Sequence, residues 1–345
     1  MPRWYEREAD GRMVHDGAAD PDTWLAAAYS NRSLVTRVGA LHADHAEPGT
    51  VVTTGMSTSS STEPSLVVGM YRHADLTDGC RTLVTTGSGY GTALACRRLG
   101  ADRVTSVDVD PYLVEAATDR LASLGLRPQT AVCDLTQGPL PGEYDRIVST
   151  VSMPAVPATW LKALRPHGRL VTTITGTSLI LYADKTPDGG AVGRTSFDPA
   201  SFMAPRQADD YEETVSASVW TSAETADGEA SVSRHFLVFV PEAWSIQSML
   251  QLQIPGIEHR HQWHPDRSHT VWMAHPDGSW VRAHATGPRE PATVYQGGPR
   301  RLWNPLEEIL DRLNWTGELP VYGAEVTITP DGLTTLARGN WKVTL

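Results

Sequence analysis

Between residues 57 and 182 the apolar positions form short runs separated by helix-length amphipathic stretches. The runs at 82–85, 103–107, 129–133, 144–149 and 170–174 predict strands. The stretches at 64–72, 91–99, 111–124 and 156–164 predict helices. Strands that alternate with helices of this length specify an α/β fold with a parallel central sheet covered on both faces. Residues 1–56 begin polar and offer one helix, over 21–29, with Trp24, Leu25 and Ala28 on one face, so a partly helical lead-in is expected.

Residues 183–345 have a different texture. The stretch 185–210 is rich in Gly, Pro, Asp and Ala and reads as linker or loop. Strand-like alternation follows at 215–220 and 233–240. The runs 270–275 and 279–284 flank Pro276-Asp277-Gly278, a hairpin signal, and 321–329 and 333–337 flank Pro330-Asp331-Gly332 in the same way. One helix is expected between the hairpins, capped by Asn304, with Pro305 first and Leu306, Ile309, Leu310 and Leu313 as its stripe. Eight of the eleven tryptophans lie in this part. The expected organisation is a lead-in over 1–56, an α/β domain over 57–182 and a smaller β-rich α+β domain over 183–345.

Composition narrows the class. The 345 residues are 40% hydrophobic and 20% charged, as in a globular protein. The net charge of −11 argues against nucleic-acid partners, whose phosphates require clustered Lys and Arg, and at long range against acidic partners. Cys80, Cys96 and Cys133 fit neither a disulfide framework nor a zinc motif, and no metal site is expected. His259, His261, His264 and His269 cluster without cysteine or a matching carboxylate pattern and are assigned to a strand or loop. The N-terminus lacks an apolar signal core and no run is long enough to span a bilayer, so no membrane partner and a cytoplasmic location are expected.

The candidate chemistry centres on Leu83-Val84-Thr85-Thr86-Gly87-Ser88-Gly89-Tyr90-Gly91, a strand leading through a glycine turn into a helix. Gly87 and Gly89 allow close approach of a ligand to the backbone. Asp108 ends the next strand, where a carboxylate can accept hydrogen bonds from both hydroxyls of a ribose. A nucleoside cofactor follows. The third glycine of a dinucleotide fingerprint is replaced by Thr92, which leans away from NAD.

Upstream, Ser57-Thr58-Ser59-Ser60-Ser61-Thr62-Glu63-Pro64 resembles the signature of protein-L-isoaspartate O-methyltransferases. In the same order, Gly87-Ser88-Gly89-Tyr90, Ala131-Val132-Cys133-Asp134, Tyr144 to Val148 with Met153-Pro154, and Arg165 to Val171 resemble further segments of that family. The resemblance implies a Rossmann-like class I methyltransferase domain that uses S-adenosyl-L-methionine. It implies cofactor contacts from Gly87, Ser88, Gly89 and Tyr90, from Asp108 with Val109, and from Asp134 with Leu135. It places Ser60, Ser61 and Thr62 at the reacting carboxylate, with Thr150 and Val151 facing the substrate, a peptide or protein bearing Asp or isoAsp. Capping of the helix opened by Pro64 is the other role open to the hydroxyl run.

The chain departs from the family pattern where Leu83 replaces an acidic residue and Thr85 a glycine. A hydrogen bond to a charged group is worth roughly 1.5–3 kcal/mol, so cofactor affinity falls unless another group compensates. Extended chains of this kind resemble enzymes of ribosomal peptide pathways (lanthipeptide, graspetide, lasso), in which a methylated aspartate cyclises to an aspartimide. That implies a substrate-recognition role for 183–345. A general repair methyltransferase and a non-catalytic cofactor- or peptide-binding module are the alternatives.

Overall fold

The computed structural model describes residues 2–206, 211 and 214–345. The first sixty residues build a six-stranded antiparallel sheet from β1 (Arg3–Glu8), β2 (Gly11–Asp16), β3 (Leu34–Val38), β4 (Leu41–His42), β5 (Val51–Val52) and β6 (Ser57–Ser61). Helix α1 (Pro21–Ala28) lies between β2 and β3, capped by the Asp20 carboxylate. The lead-in expected to be partly helical is thus mostly strand. Its short strands are stabilised by pairing across distant turns, which periodicity in one segment does not report. The expected boundary at residue 56 falls just before β6, whose hydroxyl-rich run pairs with β3.

The α/β pattern follows. After α2 (Pro64–His73) come β7 (Thr82–Thr85), α3 (Tyr90–Leu99), β8 (Val104–Asp108), α4 (Pro111–Ser123), β9 (Gln129–Val132), β10 (Tyr144–Val148), α5 (Ala158–Ala163) and β11 (Leu164–Thr173). These strands lie in the order β9-β8-β7-β10-β11 and are all parallel. Consecutive strand residues are buried on opposite faces. Leu83, Ile147 and Leu170 enter one apolar layer and Val84, Val148 and Val171 the other.

The sheet does not stop there. β12 (Leu179–Lys185) and β13 (Ala191–Pro199) extend it antiparallel, so the boundary expected at 182 falls inside β12. The stretch 185–210, expected to be linker, contributes β13; its residues 207–210 lie outside those described. A five-stranded antiparallel sheet then forms from β14 (Glu229–Val232), β15 (Glu258–Trp263), β16 (His269–Ala274), β17 (Trp280–Ala285) and β18 (Thr293–Gly297), with α6 (Ala217–Thr225), α7 (Trp244–Gln253) and α8 (Trp303–Thr316). The chain returns to the central sheet through β19 (Glu325–Ile328), β20 (Thr334–Arg338) and β21 (Trp341–Thr344), giving ten strands in all. One apolar cluster runs from Leu83 and Trp160 to Met249, Leu306, Val326 and Trp341.

Three local expectations are corrected. The run 215–220 belongs largely to α6, because Trp220 and Ala223 meet Ala274 and Trp280 from one helical face. Residues 233–239 are not a strand. The Ser233 hydroxyl bonds the His235 backbone, while Arg234 and His235 are drawn to Glu307 and Asp311 on α8. Helix α8 begins at Trp303, not at a cap by Asn304, whose side-chain oxygen is taken by Gln296; the Gln296 carbonyl in turn accepts the Trp303 N–H. Among the described residues no helix is long and apolar enough to cross a membrane, and no three His, Cys, Asp or Glu gather as a metal site.

His259 on β15 lines a small cavity with Val240, Trp303 and Leu306, and burial pushes its pKa down to about 4. The unfolded chain therefore takes this proton first as pH falls. The contribution of neutral His259 is whole above about 6.5 and is lost progressively down to about 4, on the order of 3 kcal/mol. Urea denaturation at pH 7.5 and pH 4.5 should show this loss, and His259→Leu should flatten it.

Candidate active site

The carboxyl ends of β7, β8, β9 and β10 face a cavity of about 300 Å³. Its opposite wall is β6 with part of β3, and residues 201–206, which follow β13, cover it. A smaller adjoining cavity lies between α2 and the glycine turn and shares Ser60, Thr62, Gly87 and Thr150 with it.

The turn is shaped by two glycines. Gly87 has φ +49° and Gly89 φ +87°, and a Cβ on Gly89 would stand 3.1 Å from the Ala117 Cβ of α4. The Gly87 N–H donates to Asp108 Oδ2 at 3.0 Å, and the Asp110 N–H to Asp108 Oδ1 at 3.1 Å. Burial raises the Asp108 pKa, and these two donors act against the rise. Each carboxylate oxygen keeps acceptor capacity toward the cavity. Asp134 is oriented by Thr136, through its N–H at 2.8 Å and its hydroxyl at 2.6 Å.

The two family departures have structural roles. Leu83 is fully buried in the main apolar cluster. Thr85 Oγ1 accepts the Thr150 N–H at 2.9 Å and lies 2.6 Å from Thr150 Oγ1, which ties the ends of β7 and β10 together at the cavity wall. Thr92 packs its hydroxyl on Ser106 Oγ at 2.7 Å, and Thr86 shares the same partner. A hydroxyl relay thus fills the space that a third glycine would leave empty.

The hydroxyl run does not cap α2. The cap position is Glu63, and Asn31 Oδ1 of the N-terminal region accepts the Ser65 N–H at 3.0 Å. Among the described residues, the Ser60, Ser61 and Thr62 hydroxyls have no hydrogen-bond partner, and Ser57 Oγ is buried without one. Ser60 and Thr62 line the main cavity, whereas Ser61 borders, with Ser88, Gly89, Tyr90 and Thr62, a separate recess beside α1 and α4. Tyr90 and Ser88 also border the small cavity. Gly87, Asp108, Val109, Asp134, Leu135, Thr150 and Val151 all reach the main cavity.

Periodicity gave no hint of Arg12, Ser33 and Val35 from the N-terminal sheet, or of 201–206. The one signal for the last is the apolar pair Phe202-Met203 inside a polar stretch. That segment is pinned at both ends: the Met203 carbonyl accepts the Ser152 N–H at 2.9 Å, and Arg206 Nη2 meets Asp110 Oδ2 at 3.0 Å. Asp110 Oδ2 also receives His42 Nε2 at 3.2 Å and lies 3.8 Å from Arg37 Nε, while Oδ1 caps α4 through the Tyr112 N–H. Burial pushes the Asp110 carboxyl up, but Arg206, His42 and Arg37 together hold it below the ordinary range.

Asp110→Ala would leave Arg37 and Arg206 buried without this counterion. The expected cost is about 3–5 kcal/mol, read by urea denaturation at neutral pH.

Several known proteins are similar to parts of this chain. Protein-L-isoaspartate O-methyltransferase 1 of Archaeoglobus fulgidus is 33% identical over 132 residues, 36% of this chain and 60% of the relative. The Thermotoga maritima protein-L-isoaspartate O-methyltransferase is 32% identical over 124 residues, 35% of this chain and 39% of the relative. A ribosomal protein L11 methyltransferase of Pelobacter propionicus is 41% identical over 85 residues, 22% of this chain and 27% of the relative. The chain thus spans between 27% and 60% of the length of these relatives, less than two thirds of each. A solved protein-L-isoaspartate O-methyltransferase aligns over 93% of this chain and 88% of its own, with 18% identity and a TM-score of 0.44. Residues 45–201, which include β5 and β6 of the N-terminal sheet and run to the start of the cavity's cover, match the family model described as protein-L-isoaspartate(D-aspartate) O-methyltransferase.

Proposed function

We propose that this chain is an S-adenosylmethionine-dependent carboxyl O-methyltransferase acting on an aspartyl or isoaspartyl carboxylate of a peptide or protein. One observation carries the reading: the Gly87–Asp108 turn and the unpartnered hydroxyls of Ser60 and Thr62 open into the same cavity. The match to the carboxyl methyltransferase model over residues 45–201 supports it.

When bound, S-adenosylmethionine supplies a methyl group on a cationic sulfur. Asp108 would accept the ribose hydroxyls and Asp134 would face the base, with Val109 and Leu135 beside them. Gly87, Ser88 and Tyr90 around the small cavity, with Gly89 shaping the turn between them, would hold the amino-acid end. Ser60 and Thr62 donate to the acceptor carboxylate; Thr150 and Val151 shape the wall opposite. Ser61 faces another recess and is assigned no contact with the carboxylate.

An aspartyl carboxylate has a pKa of about 3.9 and is ionised at neutral pH, so no general base is needed. With the cofactor bound, a carboxylate oxygen held by Ser60 and Thr62 would take the methyl group, the electron pair of the broken carbon–sulfur bond being left on sulfur. Charge is neutralised in this step, so a site shielded from water favours it. The cover at 201–206 and the apolar side chains of Leu66, Val107, Leu113 and Met153 supply that shielding. Alignment of the two reactants is the remaining requirement and is worth on the order of 7–11 kcal/mol.

The finer reading is a cytoplasmic biosynthetic role. The acceptor is then an aspartate of a ribosomally made precursor peptide, methylation leads to an aspartimide, and residues 183–345 help to select the peptide. Incubation with S-adenosylmethionine and either a generic isoaspartyl peptide or a candidate precursor, followed by mass spectrometry, separates this role from general repair. A methyl gain or water loss on the precursor supports the biosynthetic role, and methylation of the generic peptide alone defeats it.

Asp108→Ala should weaken S-adenosylmethionine binding about tenfold to a hundredfold in titration calorimetry. Thr62→Ala should lower kcat more than it lowers cofactor affinity. Unchanged cofactor affinity in Asp108→Ala would place the cofactor elsewhere.

A further inference from the structure

Four charged side chains line the main cavity among the described residues: Arg12, Asp108, Asp134 and Arg206. Three are satisfied inside the molecule. Asp108 accepts two backbone N–H groups, Asp134 is bonded by Thr136, and Arg206 is neutralised by Asp110. Arg12, partly buried on β2, has neither a hydrogen bond nor an ion pair among the described residues. Its cross-strand partner on β1 is Arg7, so the nearest register position adds a like charge where a counterion would be stabilising. Ser57 Oγ, which lines the same cavity from β6, is buried without a partner. A guanidinium with five donors and a hydroxyl with one therefore border one cavity, with no acceptor supplied to either among the described residues.

We propose that Arg12 and Ser57 bind a second carboxylate on the acceptor peptide, so that the enzyme prefers an acidic residue near the one it methylates. This inference rests on the methyltransferase reading of the cavity. The chemistry that fits is a carboxylate, because a guanidinium pairs with its two oxygens in one plane. The acceptor, not the cofactor, is assigned as its source. The glycine turn borders the small adjoining cavity, which Arg12 does not line. Both Arg12 and Ser57 belong to the N-terminal sheet, across the main cavity from the ends of β8 and β9. The net charge of −11 opposes acidic peptides only at a distance. Physiological salt screens exposed charges beyond about 8 Å, which leaves the local field of Arg12 in control at contact.

The test uses the full chain with S-adenosylhomocysteine and fluorescent peptides centred on one isoaspartyl residue. The peptides carry Glu or Gln at each of the two positions on either side. Anisotropy gives Kd for the unaltered protein, Arg12→Gln, Arg12→Lys and Ser57→Ala. At one position Glu should bind about tenfold to a hundredfold tighter than Gln. Arg12→Gln should abolish that preference, Arg12→Lys should retain part of it, and Ser57→Ala should reduce it. Affinity for S-adenosylhomocysteine, measured separately by calorimetry, should not change. The proposal is overturned if no position shows a preference for Glu, or if the preference survives Arg12→Gln. It is also overturned if Arg12→Gln weakens S-adenosylhomocysteine and leaves the peptide preference intact, which would assign the carboxylate to the cofactor. Failure of the unaltered protein to bind S-adenosylhomocysteine at millimolar concentration would instead defeat the methyltransferase reading, and the peptide comparison is then run without it.

Discussion

A single carboxylate joins the parts that make the cavity. Asp110 begins α4, and its side chain receives Arg37 and His42 from the N-terminal sheet and Arg206 from the cover. All four side chains are between 4% and 11% exposed. A buried cluster of this kind gains little over apolar packing, because desolvation consumes most of the attraction. Its consequence is geometric. Asp108, two residues earlier, takes its orientation partly from the Asp110 N–H, so the residue that fixes the cover also fixes the carboxylate at the cavity wall. Asp44, bonded to Arg120 and Tyr112, repeats the tie from the N-terminal sheet to α4.

The same interaction explains how residues outside the matched region come to shape the site. The N-terminal sheet packs few apolar side chains of its own, chiefly Tyr5, Val14 and Val38. It is joined to the α/β core largely by polar contacts: the Asp110 and Asp44 clusters, and the Asn31 and Ser33 bonds to the start of α2. Polar contacts are directional, so they set the position of β6 and its hydroxyls more sharply than apolar packing would. The two departures from the family pattern belong to the same economy of contacts. Leu83 gives its position to the core, and Thr85 gives its hydroxyl to Thr150.

The parallel strands and their helices were legible in the sequence because each is a local apolar run bounded by turn residues. The carboxylate at the end of β8 was legible for the same reason, since a strand end fixes where its last side chain points. What was not legible depended on partners far along the chain. β13 is built from a Gly-rich stretch that becomes a strand only by pairing with β12 and β19. Around 217–225 the apolar spacing fitted either period, and packing on β16 and β17 decided for helix. Arg12 and Arg206 are ordinary surface-type residues in sequence; only the meeting of two sheets and a loop brings them to one cavity. Ser61 shows the limit of reading a motif as a block, because it borders the recess beside α1 and α4 and not the main cavity that Ser60 and Thr62 line.

The antiparallel extension of the central sheet also bears on how the molecule is assembled during synthesis. β13 precedes the cover at 201–206, yet residues 191–194 find their second partner only at 325–328. Contacts this distant in sequence form late, because the intervening chain must be closed first. On the ribosome the glycine turn and Asp108 emerge early, while the strand that anchors the roof above them waits for nearly the whole polypeptide. The half of the pocket built on β7 and β8 can thus take shape on a nascent chain, but the completed cavity exists only once the last three strands have joined the sheet.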